Sequence, residues 1–210
     1  MRMKMKVLML NGSVNRDGNT QVALEEIAAE LKSFGIESEI FPIGVKEIRD
    51  CIGCNKCTEK GCFFEDDFCN AFIAKAKEAD GFIFGSPVYY AHLSGRLLSL
   101  LDRVFYSSES AFAFKPVASV AVARRGGTST TFDVLNKYAT ISSRIVIGST
   151  YWNNVFGCKK GESRRDSEGL QTRRNLAKNR AYVLFCLEAG KKAGIPKPSL
   201  ERSSHLNFIR

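Results

Sequence analysis

The 210-residue chain has no hydrophobic run long enough to span a lipid bilayer, so we expect no membrane-spanning helix. We expect no export signal either. The N-terminal cations Arg2, Lys4 and Lys6 are followed by a short apolar run, residues 7–10, that cannot form the hydrophobic part of a signal peptide. We therefore expect a cytoplasmic protein, with a length that fits one domain and a core of ordinary size.

The sequence also lacks a basic stripe with a recognisable nucleic-acid-binding module. It has 31 Lys and Arg against 22 Asp and Glu, which gives a net charge of +9. The paired cations are scattered along the chain, at positions 124–125, 159–160, 164–165 and 173–174. This distribution disfavours a nucleic-acid-binding protein and favours phosphorylated cofactors or acidic partners.

Two common nucleotide-binding motifs are absent. A P-loop needs Gly-x4-Gly-Lys-Ser/Thr, whereas Gly12 is followed by Gly18 six positions later and no lysine comes next. A dinucleotide fingerprint needs three close glycines and an acid at the end of the second strand. Here the acids near position 37 precede that strand. With the P-loop and the dinucleotide fingerprint excluded, the group that remains as a ligand is a terminal monophosphate.

The Gly-x-Ser-x-Gly elbow of serine hydrolases is missing as well. His92 lies close in sequence to Ser86 and Asp102, but without that elbow the three residues do not predict a catalytic triad. We expect His92 to pack against its neighbours or to line the edge of a ligand.

Short apolar runs alternate with amphipathic stretches along the chain. The candidate strands are residues 6–10, 37–41, 81–85, 117–122 and 145–148. Apolar residues recur at helical spacing at 24–31, 97–104 and 132–138, and a final helix is predicted over about 168–193, ending at Gly194. This alternation predicts an α/β fold: a flavodoxin-like, doubly wound, five-stranded parallel sheet of order 2-1-3-4-5 with helices on both faces.

The predicted domain organisation is simple. Residues 1–195 form one domain, with a cysteine-rich loop at 51–69 inserted after the second strand. Residues 196–210 form a tail whose apolar end suggests docking on the body of the protein or on a partner subunit.

The loop after the first strand is predicted to bind an anion. A buried strand, a Gly-Ser turn and a helix that starts at residues 19–20 direct backbone N–H groups and a helix dipole to one point. Polar side chains in and beside this loop could complete a phosphate cradle, namely Ser13, Arg16, Asn19 and Thr20.

Two further loops follow the third and fourth predicted strands. Residues 85–90 form a proline-containing turn with two aromatic side chains, which suits a planar ring with polar edges such as isoalloxazine. Residues 123–128 combine arginines that can face an anion with glycines that allow a close backbone approach.

Three motifs together resemble the NADPH-dependent FMN reductase family. They are Gly-Ser-x5-Asn-Thr at 12–20, Gly-Ser-Pro-Val-Tyr-Tyr at 85–90, and Ser94-Gly95-x6-Asp102-Arg103. The resemblance extends from position 6 to about 190. It implies a flavodoxin-like fold and a homodimer or homotetramer with FMN near the subunit interface.

The resemblance also implies a ligand set. It places contacts to the FMN phosphate on Ser13, Arg16, Asn19, Thr20 and Gln21. It places contacts to the ring and ribityl chain on Pro87, Val88, Tyr89 and Tyr90, with the site closed by Arg124, Arg125, Gly126 and Gly127. NAD(P)H would stack on the flavin as a co-substrate, so no separate nicotinamide motif and no catalytic side chain is expected.

Four cysteines, Cys51, Cys54, Cys57 and Cys62, lie within twelve residues, and Cys69 follows. This spacing can wrap a [4Fe–4S] cluster. The run, with the acidic residues 65–67 behind it, resembles the compact cysteine motif of iron–sulfur flavoproteins, a sister group on the same fold. Reduced thiols without a cluster are an equally open interpretation, whereas zinc and disulfides are disfavoured. Cys158 and Cys186 are expected to be ordinary buried thiols.

The sequence therefore predicts an FMN-dependent oxidoreductase that passes electrons from NAD(P)H to a quinone, nitro, ferric or similar acceptor. Two alternatives stay open. One is an iron–sulfur flavoprotein that transfers electrons through a cluster at the four cysteines. The other is a flavin-binding redox module without turnover.

Overall fold

A computed structural model describes residues 5–65, 68–141 and 143–201 of the chain. Asp66, Asp67 and the tail residues 202–210, which include His205, lie outside the described residues. The strands are β1 (Lys6–Asn11), β2 (Glu37–Pro42), β3 (Gly81–Tyr89), β4 (His92–Leu93), β5 (Pro116–Ala123), β6 (Ile145–Val146) and β7 (Asn154–Phe156). The α-helices are α1 (Asn19–Ser33), α2 (Cys69–Glu78), α3 (Gly95–Ser108), α4 (Thr128–Thr140) and α5 (Ser167–Lys192). Two 3-10 helices cover Glu109–Ala111 and Glu162–Arg165.

The main sheet is parallel and has the order β2-β1-β3-β5-β6. In terms of the five predicted strands this is 2-1-3-4-5, so the predicted flavodoxin-like fold is confirmed. Two short strands lie off this path: β4 pairs antiparallel with β3, and β7 pairs parallel with β5. Neither short strand was predicted.

The predicted fifth strand, 145–148, is interrupted. β6 ends at Val146, and β7 takes over the pairing with β5 further along, opposite residues 121–123. Between them the polar residues turn towards α5: the Ser149 hydroxyl donates to the Thr172 carbonyl at 2.7 Å, and Thr150 accepts from Asn175 at 3.1 Å. Bonding to α5 replaces bonding along the sheet edge.

Side chains of the central strands alternate between two cores, one on each face of the sheet. In β1, Val7 and Met9 pack with α1 and α5, whereas Leu8 and Leu10 pack with α2 and α3. A parallel sheet covered by helices on both faces reads as a continuous apolar run, which is why the buried strands are visible in the sequence. Of the helices in the described ranges, none is long and apolar enough to cross a membrane.

Two buried arginines fasten α5 to the sheet. Arg180 donates to the carbonyls of Pro116 and Phe82 at 3.0 and 2.8 Å, and Arg173 donates to the Asn154 carbonyl at 3.0 Å. Burial lowers the pKa of both guanidinium groups to about 9. The contact with Asn154 fixes β7, and therefore the loop that follows β7, beside the carboxyl end of the sheet.

Candidate functional site

The loop that follows β1 starts in close contact with β3. The Gly12 N–H donates to the Gly85 carbonyl at 2.8 Å. A Cβ atom at Gly12 would lie 2.9 Å from that carbonyl oxygen and 2.6 Å from Leu97 Cδ2. Only glycine allows the chain to leave the strand so close to its neighbour, and the loop is thereby directed over the carboxyl edge of the sheet.

Asn11, buried at the end of β1, joins the two ends of this loop. Its Oδ1 accepts from the Ser13 N–H at 3.0 Å, and its Nδ2 donates to Gln21 Oε1 at 2.9 Å. Ser13 Oγ in turn accepts from the Asn15 N–H at 3.1 Å. Sequence reasoning did not identify Asn11 as a site residue, because its role depends on side-chain direction rather than on a motif.

The start of α1 is suited to hold an anion. Gly18 precedes the helix and caps it without a side-chain hydrogen bond, so the first-turn N–H groups point towards the loop without an intrahelical acceptor. Ser13 and Thr20 are buried on either side of this point, and Arg16 is exposed on the loop. Gln21 faces Asn11 and Glu25. The arrangement fits a phosphate group.

Asn19 makes different contacts. Its Nδ2 donates to the carbonyls of Gly157 and Lys159, both at 3.0 Å, and its Oδ1 accepts from the Ser163 N–H at 3.1 Å. A Cβ atom at Gly157 would lie 2.9 Å from this amide nitrogen. The Asn19 side chain therefore links the first residue of α1 to the segment 157–163. Sequence reasoning did not predict that this segment is a neighbour of the loop between β1 and α1 (residues 12–18), the predicted phosphate loop.

Glu162 organises that segment. Its carboxylate accepts from the N–H groups of Cys158 and Lys159 at 2.7 and 2.8 Å. These two hydrogen bonds are the main reason why the pKa of Glu162 lies below its usual value. Asp17 on the phosphate loop and Lys160 form an ion pair across the same gap.

The predicted ring-binding turn is a β-hairpin. Val88 and Tyr89 pair with Leu93 and His92, so residues 90 and 91 form the two-residue loop. Tyr90 has a φ of 53° and is fully exposed. Positive φ is unfavourable for a tyrosine, and such strain is concentrated at binding sites in proteins. The hairpin extends β3 beyond its pairing with β5, which ends at Pro87, and exposes the side chains of Tyr89 and Tyr90.

The third loop packs against this hairpin. Gly127 has a φ of 90°, and a Cβ atom there would lie 2.6 Å from Val88 Cγ1 and 3.0 Å from the Ala91 carbonyl oxygen. Arg124, Arg125 and Gly126 are exposed. The three predicted loops thus meet at the carboxyl ends of β1, β3 and β5, where open α/β sheets bind ligands.

The same region contains Ser86, His92 and Asp102, the three residues considered above for a catalytic triad. Ser86 is buried and donates to the Pro87 carbonyl at 2.9 Å. His92 Nδ1 lies 2.9 Å from the Leu93 carbonyl oxygen, and Asp102 accepts from the Tyr138 hydroxyl. Each side chain has a different partner, so they do not form a triad.

The four clustered cysteines line one cavity. Cys51 is exposed, Cys54 and Cys57 are half-buried, and Cys62 is buried. The remaining walls are formed by Ile52, Asn55, Phe64, Arg103 and Tyr106. Four cysteines from an irregular segment therefore line a single pocket beside α3.

Side chains from α2 and α3 hold this segment and the stretch that leads into it. Asn70 accepts from the Cys62 N–H and donates to the Cys62 carbonyl, both at 2.9 Å. Arg103 donates to the carbonyls of Arg49 and Phe64, both at 3.1 Å, which brackets the cysteine run. Arg96 donates to the Gly44 carbonyl at 3.1 Å. Sequence reasoning missed all three contacts.

Four cysteine thiols are the donor set that a [4Fe–4S] cluster takes. In the described ranges, no three histidine, cysteine or carboxylate side chains converge closely enough to bind one metal ion. A [4Fe–4S] cluster does not require this, because each iron takes one thiolate and the ligands stand apart. Burial, and then the charges of three neighbouring cysteines, raise the pKa of the Cys57 thiol. Bound iron would remove that repulsion between thiolates.

The other cysteines differ from expectation in part. Cys158 and Cys186 are exposed, so the prediction that they are buried was wrong. Cys158 lies in the segment after β7, and Cys186 lies on the outer face of α5, where the helix does not meet the sheet. Cys69 is buried in the core near the start of α2 and does not line the cavity.

Comparison with known sequences identifies the family. The profile of the NADPH-dependent FMN reductase family matches residues 5–157, which include all three loops and the cysteine segment. The chain belongs to this family. Family membership supports a flavin-dependent oxidoreductase, as the three loops predict.

Several relatives of the chain are named iron–sulfur flavoproteins. An iron–sulfur flavoprotein of Methanocaldococcus jannaschii is 36% identical over 192 residues, covering 86% of this chain and 97% of the relative. An iron–sulfur flavoprotein of Methanosarcina thermophila is 26% identical over 191 residues, covering 89% of this chain and 99% of the relative. This chain therefore matches such proteins over nearly their whole length.

Solved structures support the same fold. RosB, crystallised with an intermediate derived from riboflavin phosphate, superimposes with a TM-score of 0.67 at 14% identity, covering 98% of this chain and 92% of that chain. An archaeal flavodoxin superimposes with a TM-score of 0.59 at 14% identity, covering 86% and 99%. At this identity the likeness shows a shared fold and nothing more.

Proposed function

We propose that this chain is an iron–sulfur flavoprotein: an oxidoreductase that binds FMN at the three loops and a [4Fe–4S] cluster at Cys51, Cys54, Cys57 and Cys62. The observation that carries the proposal is the position of α3. Its N-cap, Ser94, accepts from the Leu97 N–H at 3.2 Å and donates its own N–H to Ser86 in the strand of the flavin hairpin at 3.3 Å. Nine residues later Arg103 contacts the cysteine segment.

The length of α3 supports electron transfer between the two regions. Nine residues of α-helix rise about 14 Å, so one rigid helix connects the hairpin to the cysteine cavity over a short distance. Residues of both regions, Leu93 and Cys62, belong to the same core cluster as Leu97 and Leu101 of α3. A single packed element therefore sets their separation.

The loop between β1 and α1 supports FMN, rather than a dinucleotide, as the ligand. The N–H groups at the start of α1, with Ser13 and Thr20, provide donors for one terminal phosphate. The hairpin around Val88 and Tyr89 provides apolar and aromatic side chains against which the ring can pack. When bound, FMN exchanges two electrons with a nicotinamide and single electrons with a [4Fe–4S] cluster.

The residues of the chain have three tasks in this function. Asn11 and Asn19 hold the phosphate loop and its neighbour in position. The contact of Gly127 with Val88 keeps the hairpin and the third loop together. Asn70 and Arg103 hold the backbone of the cysteine segment at Cys62 and at the two ends of the run, Arg49 and Phe64.

NAD(P)H is the second part of the proposal. Arg124 and Arg125 are exposed beside the hairpin and provide positive charge for the phosphates of a nicotinamide dinucleotide. The name of the family and that of a 30% identical NADPH azoreductase of a Bacillus species, matched over 122 residues, point to the same reductant. In that case the chain takes electrons from NAD(P)H and delivers them to a small-molecule or protein acceptor.

Cofactor content tests the proposal. Protein purified without oxygen is expected to contain about one FMN and about four irons per chain. FMN without iron would contradict the cluster and leave an FMN reductase with reduced thiols. Protein that binds neither iron nor added FMN would contradict the whole proposal.

A further inference from the structure

Arg103 is buried deep in the wall of the cysteine cavity. Only 1% of its surface is exposed, although it carries a guanidinium group. The side chain comes from α3, whereas its partners lie before and after the cysteine run, at Arg49 and Phe64. Those two contacts use the terminal nitrogens of the fork and explain how the loop is held.

The third nitrogen of the fork makes a contact that holding the loop does not require. Arg103 Nε lies 3.2 Å from Cys62 Sγ and donates to it. Cys62 is the buried member of the four cysteines, so this hydrogen bond is shielded from water. Hydrogen bonds to cysteinyl sulfur and the net local charge are two of the main determinants of the potential of an iron–sulfur cluster.

We propose that Arg103 is a positioning residue that raises the reduction potential of the cluster through Cys62. The inference rests on the proposed function, since it requires a cluster at the four cysteines. Reduction adds one electron and no bond forms or breaks. Both the Nε–H donor and the buried positive charge stabilise the more negative reduced state, because the low dielectric of the site strengthens them.

Arg96 provides the matched control. It lies two helical turns before Arg103 on the same side of α3 and holds the stretch of chain that leads into the loop, through the carbonyls of Gly44 and Lys46. It contacts none of the four cysteines among the described residues. Arg96→Met and Arg103→Met each remove side-chain hydrogen bonds to backbone carbonyls, but only Arg103→Met removes a donor to a cysteine sulfur.

The experiment is a potentiometric titration of the anaerobic holoprotein and its variants, followed by visible and EPR spectra. Arg103→Met is expected to lower the equilibrium constant for cluster reduction by about tenfold, which equals about 59 mV for a one-electron couple. Arg96→Met is expected to leave the cluster potential near that of the unmodified protein. Equal potentials for the two variants overturn the assignment.

Arg103→Gln and Arg96→Gln are the second pair, in case Arg103→Met does not retain iron. Glutamine keeps an N–H donor but not the charge, so the cluster of Arg103→Gln should have a potential below that of Arg96→Gln. Loss of iron from both Arg103 variants with unchanged circular dichroism overturns the assignment, since Arg103 would then serve only as a support. Absence of iron in the unmodified protein contradicts the proposed cluster instead, so the two failures are distinguishable.

Discussion

The candidate flavin site and the cysteine cavity are built in opposite ways. The flavin site is made of loops at the ends of adjacent strands, and backbone contacts and glycines such as Gly12 and Gly127 hold it together. The cysteine segment is irregular, and within the described residues its own backbone bonds are those between Thr58 and Gly61. Side chains from two helices hold it instead.

This difference shows how one fold can carry two kinds of site. A loop at a sheet edge takes its position from the strands, so it is formed before any ligand binds. A segment held by a few long-range hydrogen bonds has lower local stability, and a bound cluster would add to it. The predictions below test whether the two sites respond independently.

The largest effect is expected from the cysteine cavity itself. Cys57→Ser is expected to abolish cluster binding, because a serine oxygen is a poor substitute for thiolate towards iron. Iron analysis should fall from about four per chain to near zero, while FMN content stays unchanged. Cys186→Ser, on the exposed face of α5, is the control and should retain both cofactors. Loss of FMN in Cys57→Ser would show that the sites are not independent.

The next largest effect is expected on the flavin side. Gly127→Ala forces a left-handed conformation on a residue with a side chain and a clash with Val88, at a cost of about 2 kcal/mol or more. FMN affinity, measured by fluorescence quenching, should fall at least tenfold while iron content is retained. Gly35→Ala, outside the three loops, is the control, since Gly35 also has a positive φ of 73° and nothing lies within 4 Å of a Cβ atom there. Equal affinities for the two variants would argue against this flavin site.

A smaller effect is expected at the phosphate. Thr20→Val keeps the shape of a buried side chain but removes one donor, which lowers the affinity for FMN by about 1.5–3 kcal/mol if that donor bonds the phosphate. Riboflavin has no phosphate, so its affinity should not change. Thr172→Val on α5 is the control, because it makes the same change at a remote buried threonine. If affinity for riboflavin and FMN fell equally, Thr20 would not contact the phosphate.

The smallest effect concerns Glu162 and pH. Its pKa is lowered in the folded protein, so its contribution to stability is present above the ordinary pKa of 4.5 and is lost as the pH falls through the lowered value. Glu162→Gln should therefore reduce the melting temperature slightly at neutral pH and should flatten its decline at acid pH. The measurement is thermal unfolding from pH 3 to pH 7. Parallel curves for the two proteins would contradict this role.

The sequence was sufficient to predict the sheet order and the three loops, because these depend on local patterns. Buried strands are continuous apolar runs, and loops at parallel strand ends are marked by glycine and proline. The break between β6 and β7 was not predictable, since it depends on Ser149 and Thr150 bonding to α5, which lies far away in sequence.

Long-range side-chain contacts were the main part of the site that sequence reasoning missed. Arg103 lies 41 positions from Cys62, and Asn19 lies 138 positions from Gly157. No periodicity or spacing connects such pairs. The burial of single thiols was equally inaccessible, because the exposure of Cys158 and Cys186 depends on which face of an element meets the sheet.

The central claim is that one chain carries two redox groups, one at the strand ends and one at the cysteines. An anaerobic reductive titration of the purified holoprotein with dithionite counts them directly. The account predicts about three electrons per chain, two for FMN and one for the cluster, with both chromophores reduced. Uptake of only about two electrons, with flavin the sole chromophore that bleaches, would contradict it.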